Sequence, residues 1–171
     1  MMNIKQIVVI FIVGYVVPTY SVITEKNKVY LENHYGAPII CKVLNNNTKE
    51  DDRLRSNKDV VVNNQNRVLL GLIPHAKNSA SRLQWVNDIN IKTTSYLSAG
   101  YTTLNNYLEA MSNAINTCCN GMSIPQNARQ YCKDNNVCGK DAIIVVYPSS
   151  IASGWKIDVQ WRDSSRTVVG Q

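Results

Sequence analysis

Apolar and polar side chains alternate from Lys28 to Tyr35, with Val29, Leu31 and Asn33 on one side and Tyr30, Glu32 and His34 on the other. That period of two is the mark of a half-buried strand. Gly36-Ala37-Pro38 reads as a turn. Alternation then resumes over Ile39–Leu44, with Ile39, Cys41 and Val43 set against Ile40, Lys42 and Leu44. Two short runs around a Gly/Pro turn predict a β-hairpin. Further strands are predicted at Val60-Val61-Val62, at Arg67–Ile73 before Pro74, and at Leu83–Lys92 with Leu83, Trp85, Ile89 and Ile91 on one face. The polar stretch Asn45–Lys58 reads as an exposed loop.

The period changes after Tyr101. Leu104, Tyr107, Leu108, Met111, Ile115 and Cys118 recur every three or four residues, the stripe of an amphipathic helix. Thr102 or Thr103 is placed to cap its start, and Asn120-Gly121 to end it. Ser123-Ile124-Pro125-Gln126 resembles a capping box and predicts a second, shorter helix to about Asn135, with Ala128, Tyr131 and Cys132 on one face. Strands return afterwards. Ala142–Tyr147 is apolar on both sides, which suits a central strand. Gly154–Arg162 alternates Trp155, Ile157, Val159 and Trp161 against Lys156, Asp158, Gln160 and Arg162. The predicted fold is α+β: an antiparallel sheet of about six strands, with a disulfide-pinned helical hairpin inserted before the last two strands.

Residues 1–21 have a different texture. Lys5 precedes eleven uncharged residues, Ile7–Val17, then Pro18 and the small residues Thr19 and Ser21. That is the layout of a secretory signal peptide, with cleavage expected near Ser21. The apolar run is shorter than the ~20 residues a spanning helix needs. The expected organisation is therefore a signal peptide at 1–21 and a single secreted or periplasmic domain at 22–171, touching the membrane only in transit.

Export changes the reading of the cysteines. Four of the five, Cys118, Cys119, Cys132 and Cys138, fall within 21 residues. In an exported chain such a cluster predicts disulfides, and two bridges here would each contribute about 3 kcal/mol in the chain-entropy model. The pairing order is open, though cross-pairing is preferred to a strained vicinal bridge. The C-C-x12-C-x5-C spacing does not suit zinc, and neither a metal nor a cofactor is expected. Cys41 is left over, on a strand face that predicts burial and a monomer. Asn46-Asn47-Thr48 is a formal glycosylation acceptor in a host that glycosylates.

Candidate chemistry is sparse. The serine-hydrolase elbow and the calcium-loop pattern do not occur. Asp88 and Asp158 fall on outward strand faces, where solvated carboxylates belong. The three tryptophans, Trp85, Trp155 and Trp161, alternate with aliphatic residues and predict a core role over a sugar-stacking platform. A thiol nucleophile would be Cys41 with His34 or His75 as its base, His34 coming close across the predicted hairpin. The net charge of +6 admits an anionic partner, but the basic residues are scattered and do not predict nucleic-acid binding. The expected function is an exported, non-enzymatic binding or interaction module with an unknown extracytoplasmic ligand or protein partner. The alternatives are a small secreted hydrolase, thiol-dependent through Cys41, or a basic protein that associates with an anionic surface.

Overall fold

A computed structural model of the chain describes residues 25–44, 59–75, 88–94, 100–150 and 154–163. The expected signal segment, the Asn45–Lys58 loop, Leu83 and Trp85 lie outside these residues. Within them the order is β1 (Lys26–Asn33), β2 (Ile39–Leu44), β3 (Asp59–Val62), β4 (Arg67–Pro74), β5 (Asp88–Thr93), β6 (Thr102–Thr103), α1 (Asn105–Cys119), α2 (Arg129–Asn135), β7 (Asp141–Pro148) and β8 (Trp155–Arg162). A 3-10 turn precedes α2 at Gln126–Ala128 and another follows it at Val137–Gly139.

The α+β class and the helical hairpin before the last two strands are as expected. The single six-stranded antiparallel sheet is not. The strands form two four-stranded sheets, ordered β4-β1-β7-β8 and β3-β2-β5-β6. The first sheet is mixed, because β1 and β7 run parallel. One core joins the two: Val29, Leu31, Ile144 and Val146 of the first sheet cluster with Ile39, Cys41, Val43, Ile89 and Ile91 of the second. Burying each such aliphatic side chain contributes about 1.5–3 kcal/mol.

The predicted hairpin is the main correction. β1 and β2 do not pair; each belongs to a different sheet. Asn33 holds the crossing between them. Its Oδ1 accepts the Tyr35 N–H at 2.8 Å, and its Nδ2 donates to the carbonyls of Ala37 and of Val62 in β3, each at 2.8 Å. Gly36 takes φ +93°, which a side chain would resist, and its N–H donates to Asn64 Oδ1. Both runs turn their alternating apolar set toward one core from opposite sides. Alternation alone cannot separate that face-to-face packing from edge-to-edge pairing.

The helices follow their sequence pattern more closely. Leu108, Met111 and Ile115 of α1 are buried, with Leu104 just before it. Thr103 Oγ1 accepts the N–H of Asn105, satisfying one free donor of the first turn. Asn120 closes the helix and Gly121 follows at φ +75°. Two disulfides, Cys118–Cys132 and Cys119–Cys138, then pin α1 to α2 and to the turn after it. Fully buried Asn27 donates from Nδ2 to the carbonyls of Val137 and Lys140, each at 2.6 Å, and so ties this disulfide-bonded loop to β1. Trp161 Nε1 donates to the Tyr131 hydroxyl, and Trp155 Nε1 to Thr102 Oγ1; both tryptophans pack against the core.

Candidate functional site

The three residues considered for nucleophilic catalysis sit in three separate places. Cys41 is on the inner face of β2, opposite Val60 and Ile91, and is fully buried. Burial, with a smaller contribution from the Asp59 charge, pushes its thiol up to about 12. A thiol so strongly protonated is a core side chain in its chemistry. His34 lies just beyond β1 in the other sheet, on the face turned away from the core. His75 follows β4, with Nε2 2.5 Å from Asn27 Oδ1 and Nδ1 3.5 Å from Glu25. The expected approach of His34 to Cys41 depended on the hairpin and is absent with it. Among the described residues, no group of three or more His, Cys, Asp or Glu side chains is placed to hold a metal.

The outer face of the first sheet gathers a different set. On β1 the alternation that turns Val29 and Leu31 inward turns Tyr30 and Glu32 outward, with His34 next in line. On β7 it turns Ile143, Val145 and Tyr147 outward, and on β8 Lys156, Asp158, Gln160 and Arg162. The register sets Tyr30 beside Ile143 and Glu32 beside Val145, and pairs Ile143 with Gln160 and Val145 with Asp158.

Arg162 Nη1 donates to both Glu32 oxygens, at 2.9 and 2.8 Å. Since β7 separates β1 from β8, this ion pair bridges over the central strand, whose outer residues Ile143 and Val145 are fully buried. Arg162 Nε and Nη2 both donate to Gln160 Oε1, at 2.9 and 2.5 Å. Gln160 Nε2 in turn donates to the Tyr147 hydroxyl at 3.1 Å. His34 Nε2 lies 2.5 Å from Glu32 Oε1. A carboxylate only accepts, so this nitrogen carries the hydrogen. The His34 ring also lies against Tyr147, with centroids 5.6 Å apart and a tilt of 33°.

Glu32 is the electrostatic centre. It is only 8 % exposed. Burial pushes its carboxyl up, but the hydrogen bonds from His34 and Arg162, the Arg162 charge and, when that ring is protonated, the His34 charge outweigh that and hold it below its ordinary value. The ring of Tyr30 on the same face carries the Arg67 guanidinium 4.6 Å from its centroid. Lys156 lies 5.8 Å from the Tyr147 ring centroid and 3.6 Å from Asp158.

Among the described residues the network leaves some hydrogen-bonding capacity unspent. Tyr147 accepts from Gln160 and keeps its own O–H hydrogen. His34 keeps Nδ1. Arg162 Nη2 keeps its second hydrogen. With the His34 ring neutral these are two donors and one acceptor beside an aromatic pair, held in place by partners on three strands.

In the sequence pattern Glu32 stands out only as a polar position on one side of the first strand. The alternation in β1 already placed it beside His34, and that in β8 placed Gln160 beside Arg162. No local pattern says that those two strands flank the same third one. Comparison of the chain with protein-family models, with curated proteins and with solved structures gives no match.

Proposed function

We propose that the chain is an exported, non-enzymatic binding module, and that it takes a hydroxyl-rich ligand of the carbohydrate class on the outer face of the first sheet. One observation carries this reading: Glu32, Arg162, Gln160, Tyr147 and His34 form one continuous network there, with a nearly buried carboxylate at its centre. Such a network is an expensive way to cover Ile143 and Val145. Well-packed apolar side chains commonly stabilise as well as a buried ion pair or better. Holding polar groups in fixed positions is what a recognition surface needs.

The unspent groups suit hydroxyls, each of which both donates and accepts. Tyr147 and Arg162 Nη2 offer donors, His34 Nδ1 an acceptor when the ring is neutral, and the paired His34 and Tyr147 rings a face for the apolar side of a sugar. Export rests on the N-terminal segment and agrees with the two disulfides, which persist in oxidising compartments. Among the described residues no helix is long and apolar enough to cross a membrane.

The test is an array of neutral and acidic oligosaccharides probed with the wild-type protein and with His34→Ala/Tyr147→Ala. Retention of a subset of glycans that the double variant loses, with its fold intact by circular dichroism, supports the reading. Absence of any glycan signal, or equal retention of both proteins, rejects it.

A further inference from the structure

The outer face of the second sheet carries a separate set of residues. Ile39, Cys41 and Val43 point into the core, so Ile40 and Lys42 point away from it. The register sets Val61, Ile40 and Lys92 in one row across β3, β2 and β5, and Asp59, Lys42 and Asn90 in the next. Tyr101 stands over both rows. Its ring centroid is 4.7 Å from Lys92 Nζ and 5.8 Å from Lys42 Nζ, and its hydroxyl donates to Asp59 at 3.3 Å.

We propose that this face docks on an anionic phospholipid bilayer. Two features point there together. Val61 is 58 % exposed and Tyr101 41 %, so two large apolar surfaces remain in water on one face beside Ile40. Both lysines stand within reach of the same ring, and neither is ion-paired among the described residues. Asp59 is the one carboxylate in these two rows, and it is engaged by Tyr101. Lysine stems lie along apolar surface while their ammonium groups reach outward, and tyrosine favours the boundary between hydrocarbon and headgroup. Such a face offers an apolar footing with positive charge around it, on a chain whose net charge is +6. A soluble acidic polymer would match the charge but would make no use of Val61 and Ile40.

Each lysine near an anionic membrane contributes about 1 kcal/mol, a factor of roughly 5.5 in affinity, so neutralising two should cost about 30-fold. The experiment compares sedimentation of the full chain with vesicles of phosphatidylcholine, with and without phosphatidylglycerol, so that binding by the N-terminal apolar segment cancels between the two lipids. The proposal expects preference for the anionic vesicles, its reversal by salt, and a loss of about 30-fold in that preference for Lys42→Gln/Lys92→Gln. Val61→Ser should weaken binding even at low salt. The charge-matched variant Lys26→Gln/Lys133→Gln, on other surfaces, should retain most of the preference. An equal loss in that control would assign the binding to diffuse net charge and overturn the proposal. So would equal binding to both vesicles, or binding to dextran sulfate with none to vesicles. None of these variants touches the network on the first sheet, so this result and the glycan result stand or fall separately.

Discussion

Arg162 and Glu32 lie 130 positions apart on strands that do not pair, and they meet in a two-oxygen ion pair above β7. The contact closes the network on the outer face of the first sheet. Arg162 is 35 % exposed in its side chain and Glu32 10 %, so the two partners are not equivalent. Removing the arginine leaves Oε2 of a nearly buried carboxylate without its donor, with His34 still on Oε1; removing the carboxylate leaves a guanidinium that water can reach.

Arg162→Met should therefore cost more stability than Glu32→Gln. The expected loss for Arg162→Met is about 1–3 kcal/mol, the cost of an unsatisfied buried acceptor tempered by partial solvent screening. The double variant should be less destabilised than the sum of the singles. Urea unfolding of the four proteins checks both statements. Additive effects would mean that the pair has no energetic coupling.

Acid should expose the same contact. The Glu32 carboxyl is held below its ordinary value of 4.5 in the folded protein, so the folded state binds fewer protons than the unfolded chain in that range. Its contribution is full above the ordinary carboxylate range and is lost as pH falls through the lower, folded value. Unfolding free energy measured from neutral pH down to about pH 2 should fall less steeply at the acid end in Glu32→Gln than in wild type. Parallel curves would show that Glu32 carries no such linkage.

Cys41 should be silent in the folded protein. Its thiol is buried and pushed up to about 12, so iodoacetamide at neutral pH should leave it unlabelled until denaturant is added. Cys41→Ser should destabilise by about 1–3 kcal/mol, because it places a hydroxyl among Val60, Ile91 and the rest of the core, whereas Cys41→Val should be tolerated. Rapid labelling of the native chain would revive a thiol chemistry.

Peptide mapping without reduction should recover the links Cys118–Cys132 and Cys119–Cys138. Replacing both cysteines of either pair by serine should cost about 3 kcal/mol, close to the loop-closure estimate for rings of these lengths. Recovery of a vicinal Cys118–Cys119 link would contradict the arrangement of the two helices.

Local pattern carried a large part of this fold. The apolar stripe from Leu104 to Cys118 became α1, the doubly apolar run Ala142–Tyr147 became the central strand β7, and the alternation from Trp155 to Trp161 became β8 with its tryptophans against the core. Pairing was not legible. Val29 and Cys41 each alternate into a core, and nothing nearby in sequence says that they face it from opposite sheets. That information sits in the crossing at Asn33, whose side chain bonds Val62, 29 positions on. The polar network was hidden for the same reason. Glu32 and Arg162 are ordinary outward residues of two strands, and they become a site only through the parallel pairing of β1 with β7, a contact between distant parts of the chain.

The most direct measurement is a two-dimensional NMR titration of the isotope-labelled protein with neutral oligosaccharides, read at the backbone amides and at the side chains of His34, Gln160 and Arg162. A hydroxyl-rich ligand on the first sheet predicts saturable shifts centred on Glu32, His34, Tyr147, Gln160 and Arg162, and their disappearance in His34→Ala/Tyr147→Ala. Shifts centred elsewhere, or none at any attainable concentration, would contradict a carbohydrate site there and leave the network as the polar cover of β7.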